Sequence, residues 1–263
     1  MDLLQSTILG FIQGVTEWLP ISSTGHLRIA EHFFGLSVPL LFDVLLHVGT
    51  LFVILVYFRK DVKNVLLALF HRDFSSANGR LILPIIVGTI PTALIAVTVG
   101  DWFDAYFSSL LMLGAGFIAS GILLFATKYA VEKKDKISLP ESLLIGFMQG
   151  LSIIPSVSRS GFTITTALLL GIKKELAFRF SFLLSIPSVV GALGYTLLKE
   201  HGALTAAGIS SFEVAAALIV TIAVSFVALK ILWKVLEANK FWLFSIYCFA
   251  IGALLLVLGV LGF

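Results

Sequence analysis

The chain has 263 residues, of which 59% are hydrophobic and 13% are charged, and its formal net charge is +3. Soluble domains carry about 25% charged residues, and the mean hydropathy here is +1.06. This composition excludes a soluble globular enzyme and a disordered chain, and the small net charge predicts no nucleic-acid partner. It predicts an all-α integral membrane protein, because each segment in lipid must satisfy its own backbone hydrogen bonds.

In chain order, a broken apolar segment at 3–35 precedes three unbroken ones, and a second broken segment at 141–171 precedes three more. Six unbroken stretches of about 20 residues are long enough to cross a bilayer. They are predicted at 41–58, 80–99, 108–127, 176–198, 212–233 and 241–262. Polar and helix-breaking residues interrupt the other two segments. Each flank of about 10–15 residues is too short to span but suits half of a re-entrant helical hairpin.

The two broken segments resemble each other. The run Gly-Phe-x-Gln-Gly occurs at 10–14 and again at 146–150, an offset of 136 residues, and Ser23 and Ser158 match at an offset of 135. A repeated broken helix indicates a transporter-like site near the membrane midplane. We predict a single membrane domain, residues 1–263, with repeat one at about 1–130 and repeat two at about 137–263.

The loop charges predict the orientation. If each broken segment enters and leaves on one side, 15 of the 18 Lys and Arg residues share one face of the membrane. They lie in predicted loops at 59–80, 128–140, 173–179 and 230–240. The positive-inside rule makes this face cytoplasmic. We therefore predict a multi-pass protein of the plasma (inner) membrane with both termini outside and two hairpins that enter from opposite faces, as inverted-topology repeats.

Ionisable residues lie at both interruptions, Glu17 and His26 in the first and Arg159 in the second. A charge inside a membrane is costly, so each of these residues is a candidate functional residue. A new helix is predicted to start after each interruption, near Thr24 and near Gly161. Helix N-termini favour anions, and the planar guanidinium of Arg159 can bind phosphate in a bidentate manner. The interruptions together predict an anion site.

Hydroxyl groups accompany this predicted site. Ser23 and His26 are three residues apart at a helix start, which is the spacing of a nucleophile and its base. Glu17 could orient His26, act as a base itself or hold a divalent cation, and these alternatives stay open. The further candidate phosphate-binding side chains are Ser22, Thr24, Ser158, Ser160 and Thr163.

Three motifs closely resemble the undecaprenyl-diphosphate phosphatase family, also called the bacitracin-resistance family. They are Gln13-Gly14-Val15-Thr16-Glu17, then Leu19-Pro20-Ile21-Ser22-Ser23-Thr24-Gly25-His26-Leu27, then Ser158-Arg159-Ser160-Gly161-Phe162-Thr163. The resemblance covers nearly the whole chain. It implies a membrane enzyme that removes the terminal phosphate from a C55 isoprenoid diphosphate and so recycles the lipid carrier of cell-wall synthesis.

The resemblance also implies roles for individual residues. The family's acidic pair falls on Gln13 and Glu17, its serine nucleophile on Ser23 and its histidine on His26. Its second motif falls on Ser158, Arg159, Ser160 and Thr163. Because Gln13 is uncharged, Glu17 must contribute more of the binding of any Mg²⁺ or Ca²⁺. In addition, Ser156 stands where the motif has glycine, which makes a positive φ there less favourable.

Several alternatives remain open from the sequence. A lipid-carrier flippase or secondary transporter would also use inverted repeats and a midplane anion site, although a hydroxyl beside a histidine favours the enzyme. Direct attack by water activated by His26 competes with attack by Ser23. Asp43 and His47, four residues apart, are interpreted as a pair that bond to each other. A homodimer also stays open.

Overall fold

The computed structural model describes residues 1–106, 109–200 and 202–262, and these residues form helices joined by short connections. The helices are α1 (Leu3–Thr16), α2 (Ser23–Phe34), α3 (Leu40–Tyr57), α4 (Arg59–Phe70), α5 (Ile82–Tyr106), α6 (Leu110–Ala126), α7 (Leu139–Leu151), α8 (Arg159–Leu169), α9 (Lys174–Lys199), α10 (Ala203–Ala206), α11 (Ser211–Glu237) and α12 (Phe244–Leu261). Within the described residues the only β-pairing is an isolated bridge between Lys134 and Ile172.

Six helical segments in the described part of the chain are long and apolar enough to cross a membrane, which confirms the predicted all-α fold with six spans. They are Leu40–Tyr57, Gly79–Gly100, Leu110–Tyr129, Lys174–Lys199, Ser211–Glu237 and Phe241–Leu261. Each lies within a few residues of its predicted position. Residue 108, the predicted start of the third span, lies outside the described residues.

Both broken segments are pairs of short helices. The halves have 14 and 12 residues in the α1–α2 hairpin and 13 and 11 residues in the α7–α8 hairpin. Capping boxes start the first half of each hairpin, with Asp2 as the N-cap of α1 and Ser138 as the N-cap of α7. Such a cap satisfies two backbone donors that would otherwise lack partners. Each hairpin therefore starts at a point specified by its sequence.

The repeated glycines allow close packing of helices. A Cβ atom at Gly10 would clash with the backbone of Ala217 in α11, and a Cβ atom at Gly146 would clash with the backbone of Gly88 in α5. At these two crossings, threonine hydroxyls donate to glycine carbonyls, Thr221 to Gly10 at 2.9 Å and Thr92 to Gly146 at 2.8 Å. Small residues permit such an approach in membrane helices. The same crossing is therefore built twice.

The packing of the helices is symmetric when the two halves are exchanged. Helix α1 packs against α11 of the second half, and its counterpart α7 packs against α5 of the first half. The pairs α6–α12 and α3–α9 each join equivalent helices. The start of α1 packs near Ile209, whereas α7 starts beside Lys134 among the basic loops. The hairpins thus begin at opposite ends of the bundle.

One predicted loop is wrong. Residues 59–80 were expected to be a loop, but Arg59–Phe70 form helix α4. Val62 and Val65 pack against the core, while Phe70 is 80% exposed. Apolar residues at 62, 65, 66 and 69 have the spacing of one helix face. The segment is too short to span a bilayer but long enough to form an amphipathic helix. Asp61 in the first turn also favours the helix N-terminus.

Candidate active site

The two hairpins meet at their interruptions. The hydroxyl of Ser160, in the first turn of α8, donates to the carbonyl oxygen of Trp18 at 3.2 Å. A Cβ atom at Gly25 would lie only 2.8 Å from the Cα atom of Ser156, so glycine is needed at that contact. Trp18 is fully buried and its ring packs 5.1 Å from that of Phe182. The two interruptions therefore form one packed unit although they lie far apart in sequence.

Serine N-caps start the second half of each hairpin. The Oγ of Ser22 accepts a hydrogen bond from the backbone N–H of Gly25 at 3.1 Å, and the Oγ of Ser158 accepts one from Gly161 at 3.1 Å. Helices α2 and α8 thus start at Ser23 and Arg159, within two residues of prediction. Because Ser22 and Ser158 have the same capping role, Ser22 is the structural counterpart of Ser158, and the predicted equivalence of Ser23 with Ser158 is wrong.

Glu17 is the centre of the polar network between the hairpins. Its carboxylate accepts hydrogen bonds from the hydroxyl of Ser23 at 2.7 Å and from the amide of Gln13 at 3.2 Å. It also forms an ion pair with Arg159 of the second hairpin, and the Nε2 of His47 lies 3.3 Å from it. Glu17 is 7% exposed. The buried carboxylate of Glu17 is therefore paired with the cation of Arg159 and also accepts a hydrogen bond from the hydroxyl of Ser23.

A cavity of about 140 Å³ lies next to this network. Glu17, Ser23, Thr24, Ser158 and Arg159 line it, all of which the sequence predicts as site residues, and the remaining lining residues are Thr16, His47, Ser152, Val157 and Val189. The buried Nη1 atom of Arg159 has no hydrogen-bond partner among the described residues. A guanidinium nitrogen with a free donor next to a polar cavity is suited to an anion.

His47 is a site residue that sequence reasoning missed. Its Nδ1 atom bonds to the backbone carbonyl oxygen of Asp43 at 2.8 Å, so the predicted pair with Asp43 exists only through the main chain. This bond leaves Nε2 directed to Glu17. A histidine inside a predicted span was the available signal, since ionisable residues in spans usually face a functional interior.

His26 lies outside the cavity. Its Nδ1 atom is 2.7 Å from the carbonyl oxygen of Ser22, and its Nε2 atom is 2.7 Å from the hydroxyl of Tyr247 on α12. The rings of His26 and Tyr247 stack with centroids 5.7 Å apart. The predicted Ser23–His26 pair is not formed, because the first turn of α2 directs Ser23 to Glu17 and His26 to α12. The structure thus gives Ser23 a different neighbouring acceptor.

Four other predicted site residues lie beside the cavity lining. Gln13 contacts Glu17 through its amide nitrogen. Ser22 caps α2, as described above. Ser160 bonds to the backbone of Trp18, and Thr163 donates to the carbonyl oxygen of Arg159 at 2.8 Å and lies 2.5 Å from the hydroxyl of Ser181. Of these contacts, the one from Ser160 to Trp18 joins the two hairpins, and the one from Thr163 to Ser181 joins α8 to α9.

Ser156 has a left-handed backbone conformation. Its φ is +69°, the region that glycine adopts without steric cost, and its side chain is fully buried. The residue lies at the turn of the second hairpin, in contact with α6, where Ser120 donates to its carbonyl oxygen at 3.3 Å. The position thus requires the conformation for which glycine is suited, although this chain has serine there.

Comparison with known proteins agrees with the motifs. The sequence profile of the family described as bacitracin resistance protein BacA matches residues 6–254. A protein of Desulforapulum autotrophicum named undecaprenyl-diphosphatase is 37% identical over 98% of this chain and 99% of its own length. Proteins with the same name from Korarchaeum cryptofilum and Carboxydothermus hydrogenoformans are 36% and 38% identical, over 98% and 100% of this chain and 100% and 99% of their own lengths.

These matches extend over all six spans and both hairpins, so they cover the site as well as the fold. They confirm the family resemblance that the three motifs predict. The chain belongs to the bacitracin resistance protein BacA family.

Proposed function

We propose that this protein is a membrane-embedded phosphatase that hydrolyses undecaprenyl diphosphate to the monophosphate and phosphate. The observation that carries the proposal is the polar cavity between the hairpins, where Glu17, Ser23 and Arg159 meet. Its volume of about 140 Å³ is well below the roughly 300–1,000 Å³ of sites that enclose a whole drug-sized ligand. It therefore suits a terminal phosphoryl group, with the isoprenoid chain left in the lipid.

The contacts of Ser23 support a base other than His26. The hydroxyl of Ser23 already donates to Glu17, so Glu17 can take its proton as the oxygen attacks the terminal phosphorus. The bond from phosphorus to the bridging oxygen then breaks, and the lipid monophosphate leaves. Water hydrolyses the phosphoserine. Direct attack by water activated by Glu17 is the alternative, since a water molecule in the cavity would contact the same carboxylate.

Arg159 supplies the charge that this reaction needs. Phosphoryl transfer depends mainly on positioning and on stabilisation of charge at the equatorial oxygens. The Nη2 atom of the guanidinium binds Glu17, and the Nη1 atom has no partner among the described residues. Arg159 can therefore contact a phosphate oxygen while it stays oriented by Glu17. The Nε2 atom of His47 lies 3.3 Å from the same carboxylate and helps to orient it.

The residues around Glu17 also fit a divalent cation held jointly with the substrate. The carbonyl oxygen of the Gln13 side chain is buried and has no partner among the described residues, and the amide nitrogen of the same side chain donates to Glu17 at 3.2 Å. Magnesium is commonly held by one or two carboxylates together with substrate phosphates. We propose that Glu17 and Gln13 hold Mg²⁺ or Ca²⁺, which when bound would neutralise charge on the phosphate oxygens.

We further propose that the hairpins are re-entrant, that both termini lie outside the cell and that the cavity is reached from that side. His47 is seven residues from the start of α3, or about 10 Å along the helix. Val189 is ten residues from the end of α9, or about 15 Å. These two helix ends meet, since the backbone N–H of Leu41 donates to Glu200 at 2.9 Å. His47 and Val189 therefore both lie nearer to the helix ends opposite the basic loops, which supports access to the cavity from that face.

The plasma-membrane location remains part of this proposal, and a homodimer and the lack of a nucleic-acid partner remain predictions. The lipid substrate gives the direct test. Purified protein in detergent is expected to release inorganic phosphate from undecaprenyl diphosphate and to lose this activity when a chelator removes divalent cations. Release that is unaffected by the chelator would contradict the cation proposal. A complete lack of phosphate release with added Mg²⁺ and Ca²⁺ would contradict the phosphatase and favour a transporter.

A further inference from the structure

A second, larger cavity of about 600 Å³ lies at the basic end of the bundle. It lies where α5, α7 and α9 begin, and it is far from the hairpin crossing. None of the described residues lines both cavities. Its position at the ends of the spans Gly79–Gly100 and Lys174–Lys199 is where a bilayer changes from hydrocarbon to headgroups. The proposed phosphatase mechanism uses none of its side chains.

The charges around this large cavity are mostly positive. Its wall contains Arg80, Lys136, Lys173 and Arg179 against two carboxylates, Asp135 and Glu175. Arg179 is ion-paired with Asp61 at 2.7 Å. In the described part of the chain, Arg80, Lys136 and Lys173 have no ion-pair partner. Three unpaired cations facing one cavity favour an anionic ligand.

The apolar part of the wall indicates what carries the anion. Phe74, Leu83 and Leu139 line the cavity and are 46%, 48% and 44% exposed. Leu83 is the second residue of the spanning helix α5, so its exposed side faces the hydrocarbon edge. A soluble anion would gain nothing from these side chains, whereas a phospholipid could place its phosphate among the cations and its acyl chains along the apolar rim.

We propose that this cavity binds an anionic phospholipid from the leaflet at the basic face. The headgroup phosphate contacts Arg80, Lys136 and Lys173, and the acyl chains leave past Leu83 and Leu139. Basic pockets between membrane helices on the cytoplasmic side bind anionic headgroups in this way. A volume of about 600 Å³ lies within the range of known ligand-binding pockets. The site is independent of the proposed phosphatase activity.

Binding of defined lipids to the purified, delipidated protein in detergent tests this site. Phosphatidylglycerol is expected to bind and to raise the melting temperature, whereas phosphatidylcholine at the same concentration should have little effect. The triple variant Arg80→Ala, Lys136→Ala, Lys173→Ala should bind phosphatidylglycerol at least fivefold more weakly. Lys240→Ala removes an exposed lysine from the same face outside the cavity and should bind as the parent does.

Three outcomes would overturn the proposal. Equal binding of the two lipids would remove the anionic preference, and parental binding by the triple variant would place the lipid elsewhere. An equal melting shift with glycerol 1-phosphate would show a site for a soluble phosphate, without the acyl chains. Single substitutions of Lys136 and Lys173 give the same comparison if the triple variant does not fold. Cooperative thermal unfolding of each variant without added phospholipid reports whether it is folded.

Discussion

Arg159 and Glu17 form an ion pair across 142 residues of sequence, and this contact joins the two hairpins at their interruptions. Each residue alone would be a costly charge inside a membrane protein. Together they leave one carboxylate that accepts a hydrogen bond from Ser23 and one guanidinium nitrogen that has no partner among the described residues. The pair therefore both stabilises the crossing of the hairpins and prepares the cavity for an anion.

Arg159→Lys is expected to reduce kcat by about 100-fold or more, because lysine cannot contact Glu17 and a phosphate oxygen through one planar fork. Phosphate release from the lipid diphosphate measures this loss. Arg28→Lys is the matched control, since Arg28 lies in the first hairpin, forms a 3.1 Å ion pair with Glu31 and does not line the cavity. Near-parental turnover of the Arg159→Lys variant would reduce Arg159 to a generic positive charge.

Ser23→Ala should affect turnover, whereas Ser22→Ala should affect stability. Ser23→Ala is expected to abolish turnover but to keep binding of the lipid diphosphate, because Arg159 and Glu17 remain. Ser22→Ala removes the N-cap of α2 and should lower stability by about 1 kcal/mol while it leaves the nucleophile in place. Phosphate release, ligand binding and thermal unfolding separate the two. Parental turnover by Ser23→Ala would instead support direct attack by water.

Glu17→Gln should lower kcat by about 100-fold or more, as expected for loss of a general base. His26→Gln should lower the melting temperature, since it loses the contacts to Ser22 and Tyr247. Its kcat should stay close to that of the parent, because the base Glu17 is still present. A loss of kcat in His26→Gln as large as that in Glu17→Gln, with an unchanged melting temperature, would make His26 the base. Tyr247→Phe is the control for the structural contact.

Ser156→Gly is expected to stabilise the protein by up to about 1 kcal/mol. A left-handed φ costs an L-residue roughly 1–2 kcal/mol, and part of this gain is offset by the greater freedom of glycine in the unfolded chain. Ser156→Ala keeps the Cβ atom and should give no gain. Thermal unfolding of both variants in one detergent measures the difference. An equal or larger gain for alanine would attribute the effect to the buried hydroxyl.

Labelling of single cysteines tests the orientation. Ala238→Cys lies at the basic end of the bundle and Ala207→Cys at the opposite end, and both positions are exposed. In intact cells an impermeant thiol reagent should label Ala207→Cys and spare Ala238→Cys. Native Cys248 is fully buried and gives the unlabelled background. The reverse pattern would contradict the predicted orientation.

The sequence by itself determined the spans, the interruptions and the family. Length and hydropathy are local properties, so the six spans follow from composition within a few residues. The N-caps Asp2 and Ser138 and the repeated glycines are also local features, and in the structure they lie where each hairpin starts and packs. Glu17 and Arg159 fall in one candidate site because both lie at interruptions of repeated broken helices, and the family resemblance links the same residues.

Only the tertiary structure decided which side chains meet at the cavity. His47 lies outside the three motifs, and it reaches Glu17 because α3 packs beside the first hairpin. Ser23 and His26 have the spacing of a catalytic pair, yet the first turn of α2 directs them to different neighbours. Spacing along one helix limits which residues can share a face. The partner that each side chain reaches depends on helices that approach from elsewhere in the chain, which the local sequence does not encode.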